Sequence, residues 1–139
     1  METNFNFNSQ ICTSREQSER LLALGLKKET ADCYLVVEKD EVTVVTKPYY
    51  EIIEDLNGLP FDAEIIPAWC LHRLIEMMPR RIECDVENGL SIDLFNTDYD
   101  AVTYYEVIGY YTDKNLYNAI ISCIEDLIKE GYFNKEYLE

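Results

Sequence analysis

The stretch Pro67-Ala68-Trp69-Cys70-Leu71-His72-Arg73-Leu74-Ile75-Glu76-Met77-Met78-Pro79 limits the folds open to this chain more than any other. Proline suits the first helical position, where its missing N–H would have no partner, and Pro79 pushes Met78 out of the α region. The spacing therefore predicts a helix over about 68–78. Ala68, Leu71, Leu74, Ile75 and Met78 recur at helical steps, and Cys70 and Met77 widen the stripe. So wide a stripe implies a helix laid on a sheet, with His72, Arg73 and Glu76 along a narrow wet edge. Trp69, the only tryptophan, enters with the first turn, within reach of the Arg73 guanidinium.

The rest of the chain supplies the sheet. Ser14 and Gln17 form a capping-box pattern for a helix over about 15–24 that ends at Gly25. Tyr34–Val37 and Val42–Thr46 are β-branched runs separated by Glu38-Lys39-Asp40-Glu41, which predicts a hairpin over 34–46. Residues 49–66 carry turn chemistry and at most a short helical segment from Tyr50 to Leu56. Ile82, Cys84 and Val86 alternate with polar residues, as do Leu90, Ile92 and Leu94. A loop at Glu87-Asn88-Gly89 puts all six on one face, pairing Val86 with Leu90, Cys84 with Ile92 and Ile82 with Leu94. A third strand over roughly 101–111 completes a meander spanning 82–111. Leu116, Ala119, Ile120, Cys123, Ile124, Leu127 and Ile128 mark a last helix over about 114–130, closed by Gly131. The expected fold is α+β: one antiparallel sheet of about five strands with the helices mainly on one face. Residues 1–8, where asparagine alternates with Phe5 and Phe7, are expected to be a flexible arm on a single domain over 9–139.

Charge narrows function. There are 27 acidic and 12 basic residues, a net charge of −15. Direct nucleic-acid binding depends on Lys and Arg neutralising phosphates, and anionic membranes attract the same residues, so both are disfavoured. No apolar run approaches a membrane span and the N-terminus lacks the pattern of a signal peptide, which points to the cytoplasm. The five cysteines never form Cys-x-x-Cys and read as reduced, buried thiols; with a single histidine, no metal or cofactor is implied.

Three candidate sites follow. Cys70 and His72 invite a nucleophile–base reading, but two residues apart on a helix they point away from each other, and His72 is better placed to meet Glu76. Glu83, Asp85 and Asp93 share the polar face of the 82–94 hairpin, a place for an arginine, a divalent cation or a basic partner. Tyr99, Tyr104, Tyr105, Tyr110 and Tyr111 are concentrated in and before one strand, where adjacent rings point to opposite faces, so at least two face outward or under a covering segment: an interaction surface or an unused tyrosine-rich sheet face.

Thr30-Ala31-Asp32-Cys33, the Pro67–Pro79 segment and Leu127-Ile128-Lys129-Glu130-Gly131-Tyr132-Phe133 resemble islands found in a family of small hypothetical proteins of bacterial prophages and other mobile elements. Those proteins more often carry methionine at the position of Cys33 and serine at that of Cys70, which implies that these thiols are replaceable. The family brings no established activity. The expectation is a non-enzymatic protein-interaction module that meets a protein partner or a second copy of itself. The alternatives are an acidic nucleic-acid mimic that blocks a DNA- or RNA-binding protein, and a small metal-assisted enzyme using Glu83, Asp85 and Asp93.

Overall fold

The computed structural model describes residues 5, 9–60, 62–82, 89–95, 99–103 and 110–139, and for 93–95, 99–103 and 110 the backbone alone. The expected residues 1–8 arm falls almost wholly outside them. The chain is α+β, and among the described residues the strands form two antiparallel sheets of three, where one sheet of about five was expected.

Helix α1 (Arg15–Ala23) starts on the expected capping box: Ser14 Oγ accepts the Gln17 N–H while the Gln17 side chain accepts the Ser14 N–H. It stops at Gly25, whose φ of 101° lets the Gly25 and Leu26 N–H groups reach the carbonyls of Leu22 and Leu21. Strands β1 (Cys33–Glu38) and β2 (Glu41–Thr46) form the expected hairpin, with Lys39 in the left-handed region at the turn. Helix α2 (Lys47–Asp55) is longer than expected, because Pro48 sits in its first turn, where the missing N–H is harmless.

Pro67 is the main correction. It lies in strand β3 (Glu64–Ala68), opposite Tyr34 on β1, and helix α3 runs only from Leu71 to Met77. Proline is tolerated on an edge strand as readily as at a helix start, and here pairing with β1 decides. The packing expected of this segment holds: Trp69, Leu74 and Met78 are buried in the main core with Ile82.

Register assigns the faces of the first sheet. Cys33, Leu35 and Val37 share one with Thr46, Val44 and Val42 and with Ala68, Ile66 and Glu64; Tyr34, Val36 and Glu38 share the other with Val45, Thr43 and Glu41. Helix α1 lies on the first side, its Arg15 guanidinium 2.7 Å from Glu64. Helix α2 lies on the second, with the Tyr50 ring stacked 4.1 Å from Tyr34. Helices thus flank both faces, not mainly one.

In the second half, β4 (Ser91–Phe95) pairs with β5 (Tyr99–Thr103), which pairs with β6 (Tyr110–Asp113). The single strand expected over 101–111 is therefore folded back, with Thr103 opposite Tyr110. Two short strands can both lie against α4 (Leu116–Lys129), as they do, whereas one strand of that length would overrun it. The expected 82–94 register is not followed where it is described. Arg81 bridges Gly89, and the Leu90 N–H donates to the Arg80 carbonyl at 2.9 Å, so Ile82 does not face Leu94. The partners Cys84 and Val86 lie outside the described residues.

Helix α4 is the axis of the main core. Ala119, Ile120, Cys123, Ile124 and Leu127 are buried as expected, joined by Tyr117 and Ile121. Gly131 (φ 80°) closes it, Phe133 folds back into the core, and Leu138 bridges Leu26. Among the described residues no helix is long and apolar enough to cross a membrane.

Candidate functional site

The segments 30–33 and 67–79 meet in space. The indole N–H of Trp69 donates to Thr30 Oγ1 at 2.9 Å. Asp32 accepts the Cys70 N–H at 2.9 Å and its thiol at 2.7 Å, and the Leu71 N–H donates to the Tyr117 hydroxyl at 3.1 Å. Two N–H groups at the start of α3, those of Cys70 and Leu71, are thereby satisfied, beside a carboxylate that suits the helix dipole. Thr13 joins the same knot: its N–H donates to the Trp69 carbonyl at 2.9 Å and its hydroxyl accepts the Trp69 N–H at 3.0 Å. This ties residues 9–14 along the first sheet. The network fixes the backbone where β3 hands over to α3.

The thiols nearby are unreactive in character. Cys12 and Cys33 share the small apolar core beneath the first sheet. Burial, reinforced by the Asp32 carboxylate, pushes Cys12 up to about 11 and Cys33 up to about 12. Burial and the bond to Asp32 also raise Cys70. Nucleophilic attack needs the thiolate, which these surroundings suppress. Glu76 lies 3.9 Å from Arg73, its own-helix neighbour, rather than pairing with His72.

The two surface sites expected from sequence fall largely outside the described residues. Glu83 and Asp85 lie outside them, and of Asp93 only the backbone, in β4, is described. Among the described residues no group of His, Cys, Asp and Glu is arranged to hold a metal ion. Tyr104 and Tyr105 also lie outside, and Tyr99 and Tyr110 are described as backbone only. Tyr111 is turned inward: its ring packs on the main core and its hydroxyl donates to Asp126 on α4 at 2.5 Å.

A different surface stands out. Among the described residues, the large apolar side chains left in solvent all precede Asn57: Phe5, Ile11, Val42, Val44, Tyr49, Ile52 and Leu56. Val42 and Val44, 54% and 39% exposed, belong to β2, and no described strand pairs with the outer side of β2. A groove lies on each face of that strand. One, of about 380 Å³, is floored by Leu35, Val42 and Val44 and walled by residues 9–15. The other, of about 210 Å³, has Val45, Tyr49, Ile53 and Leu59 along it and Glu38 and Glu41 in its lining. The hairpin of β1 and β2 was legible in the sequence; that no described strand lies outside β2 was not.

No protein-family model matches the chain, and no curated protein or solved structure matches it.

Proposed function

We propose that this chain is a non-catalytic protein-interaction module, in keeping with its resemblance to small proteins of prophages and mobile elements, and that it binds its partner at the outer edge of β2. The observation that carries this reading is Val42 and Val44, exposed on a strand whose outer side no described strand covers, with the exposed Ile11 and Tyr49 lining the grooves on its two faces. Exposed apolar residues scattered singly need no explanation, whereas a patch around an unpaired edge is a site for another chain. The partner expected from sequence is kept; of the five tyrosines expected to meet it, Tyr111 packs on α4 and the side chains of the other four lie outside the described residues, so the reading rests on β2. The suppressed thiolates support the absence of nucleophilic chemistry.

Affinity capture from the native host, comparing the wild type with Val42→Lys/Val44→Lys and with Tyr111→Phe, tests this. Lysine on an edge strand blocks strand addition without unfolding the sheet. A partner retained by wild type and by Tyr111→Phe, but lost with the two lysines at unchanged secondary structure, supports the reading. A partner indifferent to the lysines overturns it.

A further inference from the structure

The two grooves astride β2 differ in chemistry, and the difference specifies what binds there. A strand added to β2 would place successive side chains on opposite faces of the first sheet. On the Leu35 face it meets an apolar floor. On the Val45 face it meets apolar walls and two carboxylates, Glu38 and Glu41. These acids are direct partners across the β1–β2 pair, an arrangement of like charge that destabilises a hairpin. No ion pair among the described residues engages either one. A cation brought by the partner relieves that repulsion, and the net charge of −15 draws a basic segment toward the protein. A second copy of this chain brings the same two acids and the same net charge to the edge, so charge disfavours it as the occupant.

Resting on the interaction reading above, we infer that the ligand of β2 is an extended segment of a partner protein that pairs with the strand's outer edge, laying apolar side chains over Leu35 and Val44 and a lysine or arginine beside Glu38 and Glu41. Backbone pairing gives the affinity and the alternation of apolar and basic residues gives the selectivity.

Fluorescence anisotropy with the full chain and three short synthetic peptides tests this. One alternates valine and lysine; in the others glutamine or glutamate replaces lysine. The lysine peptide is expected to bind about tenfold more tightly than the glutamine peptide, as two carboxylates near one cation allow, and the glutamate peptide more weakly than both. Glu38→Gln/Glu41→Gln should abolish the lysine preference and leave the glutamine peptide unchanged. Glu16→Gln/Glu136→Gln, which removes equal charge elsewhere on the surface, should preserve it. A lysine preference that survives Glu38→Gln/Glu41→Gln overturns the inference and reveals non-specific attraction. Equal binding of the lysine and glutamine peptides at β2 also overturns it, while the edge-binding reading stands. Failure of every peptide, with self-association lost on Val42→Lys/Val44→Lys, makes a second copy the occupant and overturns it too.

Discussion

Thr13 offers the sharpest test of how the fold builds the wall of this surface. Its side chain is fully buried, and its hydroxyl accepts the Trp69 N–H at 3.0 Å and shares a hydrogen bond with Ser18 Oγ at 2.7 Å. Thr13→Val keeps the shape and leaves two buried polar groups, the Trp69 N–H and the Ser18 hydroxyl, without that partner. Each such orphan costs about 1–3 kcal/mol, so the substitution should lose about 2–6 kcal/mol from a total on the order of 5–15 kcal/mol. At roughly 3–4 °C per kcal/mol this is a fall in Tm of about 6–24 °C. Urea unfolding is read from the fluorescence of Trp69, which is buried and the only tryptophan. Ser18→Ala completes a double-mutant cycle: with both hydroxyls gone one orphan disappears, and the double variant should be about 1 kcal/mol more stable than the summed singles imply. Thr112→Val, on an exposed position of β6, serves as the control and should stay within about 0.5 kcal/mol of wild type. A Thr13→Val protein as stable as that control would refute the reasoning, as would strictly additive singles.

Other outcomes follow from the same structure. Burial holds Cys12 at about 11 and Cys33 and Cys123 at about 12, against an ordinary value of 9.0. These thiols stay neutral in the folded chain while the unfolded chain ionises, so stability is fully present below pH 9 and falls as pH rises toward 11–12. Each thiol contributes about 1.4 kcal/mol per pH unit within that window, and urea midpoints that match at pH 8 and pH 10 would contradict this. At pH 8, mass-spectrometric mapping after alkylation should find Cys12, Cys33 and Cys123 unmodified in the native chain and modified in denaturant. Tyr111→Phe breaks the bond to Asp126 and should lower stability by about 1–2 kcal/mol in a urea melt. Gly131→Ala places a side chain at a φ of 80° and should destabilise by about 1 kcal/mol, with the loss confined to the end of α4 and the tail that follows.

Local signals in the sequence survived into the structure wherever a single segment decides its own conformation. Ser14 with Gln17, Gly25 and Gly131 mark helix ends through bonds made within a few residues, and all three do what their spacing implies. Pro67 was misread because its ring suits a helix start and an edge strand equally; the choice is made by Tyr34 and Thr13, which are distant in sequence. The run 101–111 looked like one strand because β-branched and aromatic residues continue through it, and alternation carries no sign of where a chain reverses. Among the described residues the strands fall into two sheets, and β3, hidden in the residues around Pro67, takes the side of β1 away from β2. The knot of Thr13, Thr30, Asp32 and Trp69 was invisible for the same reason: its bonds join segments tens of residues apart. The β2 surface was half legible. The β-branched run Val42–Thr46 marks one arm of a hairpin, but a sequence does not say whether an outer strand acquires a neighbour.

Native-state hydrogen exchange across the first sheet tests the account most directly. Strand β1 is paired on both sides, by β2 and β3, whereas among the described residues β2 is paired only with β1. In the chain without partner, alternate amides within 41–46 should exchange at least about a hundredfold faster than those of 33–38, and they should become protected when the valine–lysine peptide is added. Uniform protection of 41–46 at the level of 33–38, before any ligand is present, would mean that the edge is already occupied and that the partner binds elsewhere.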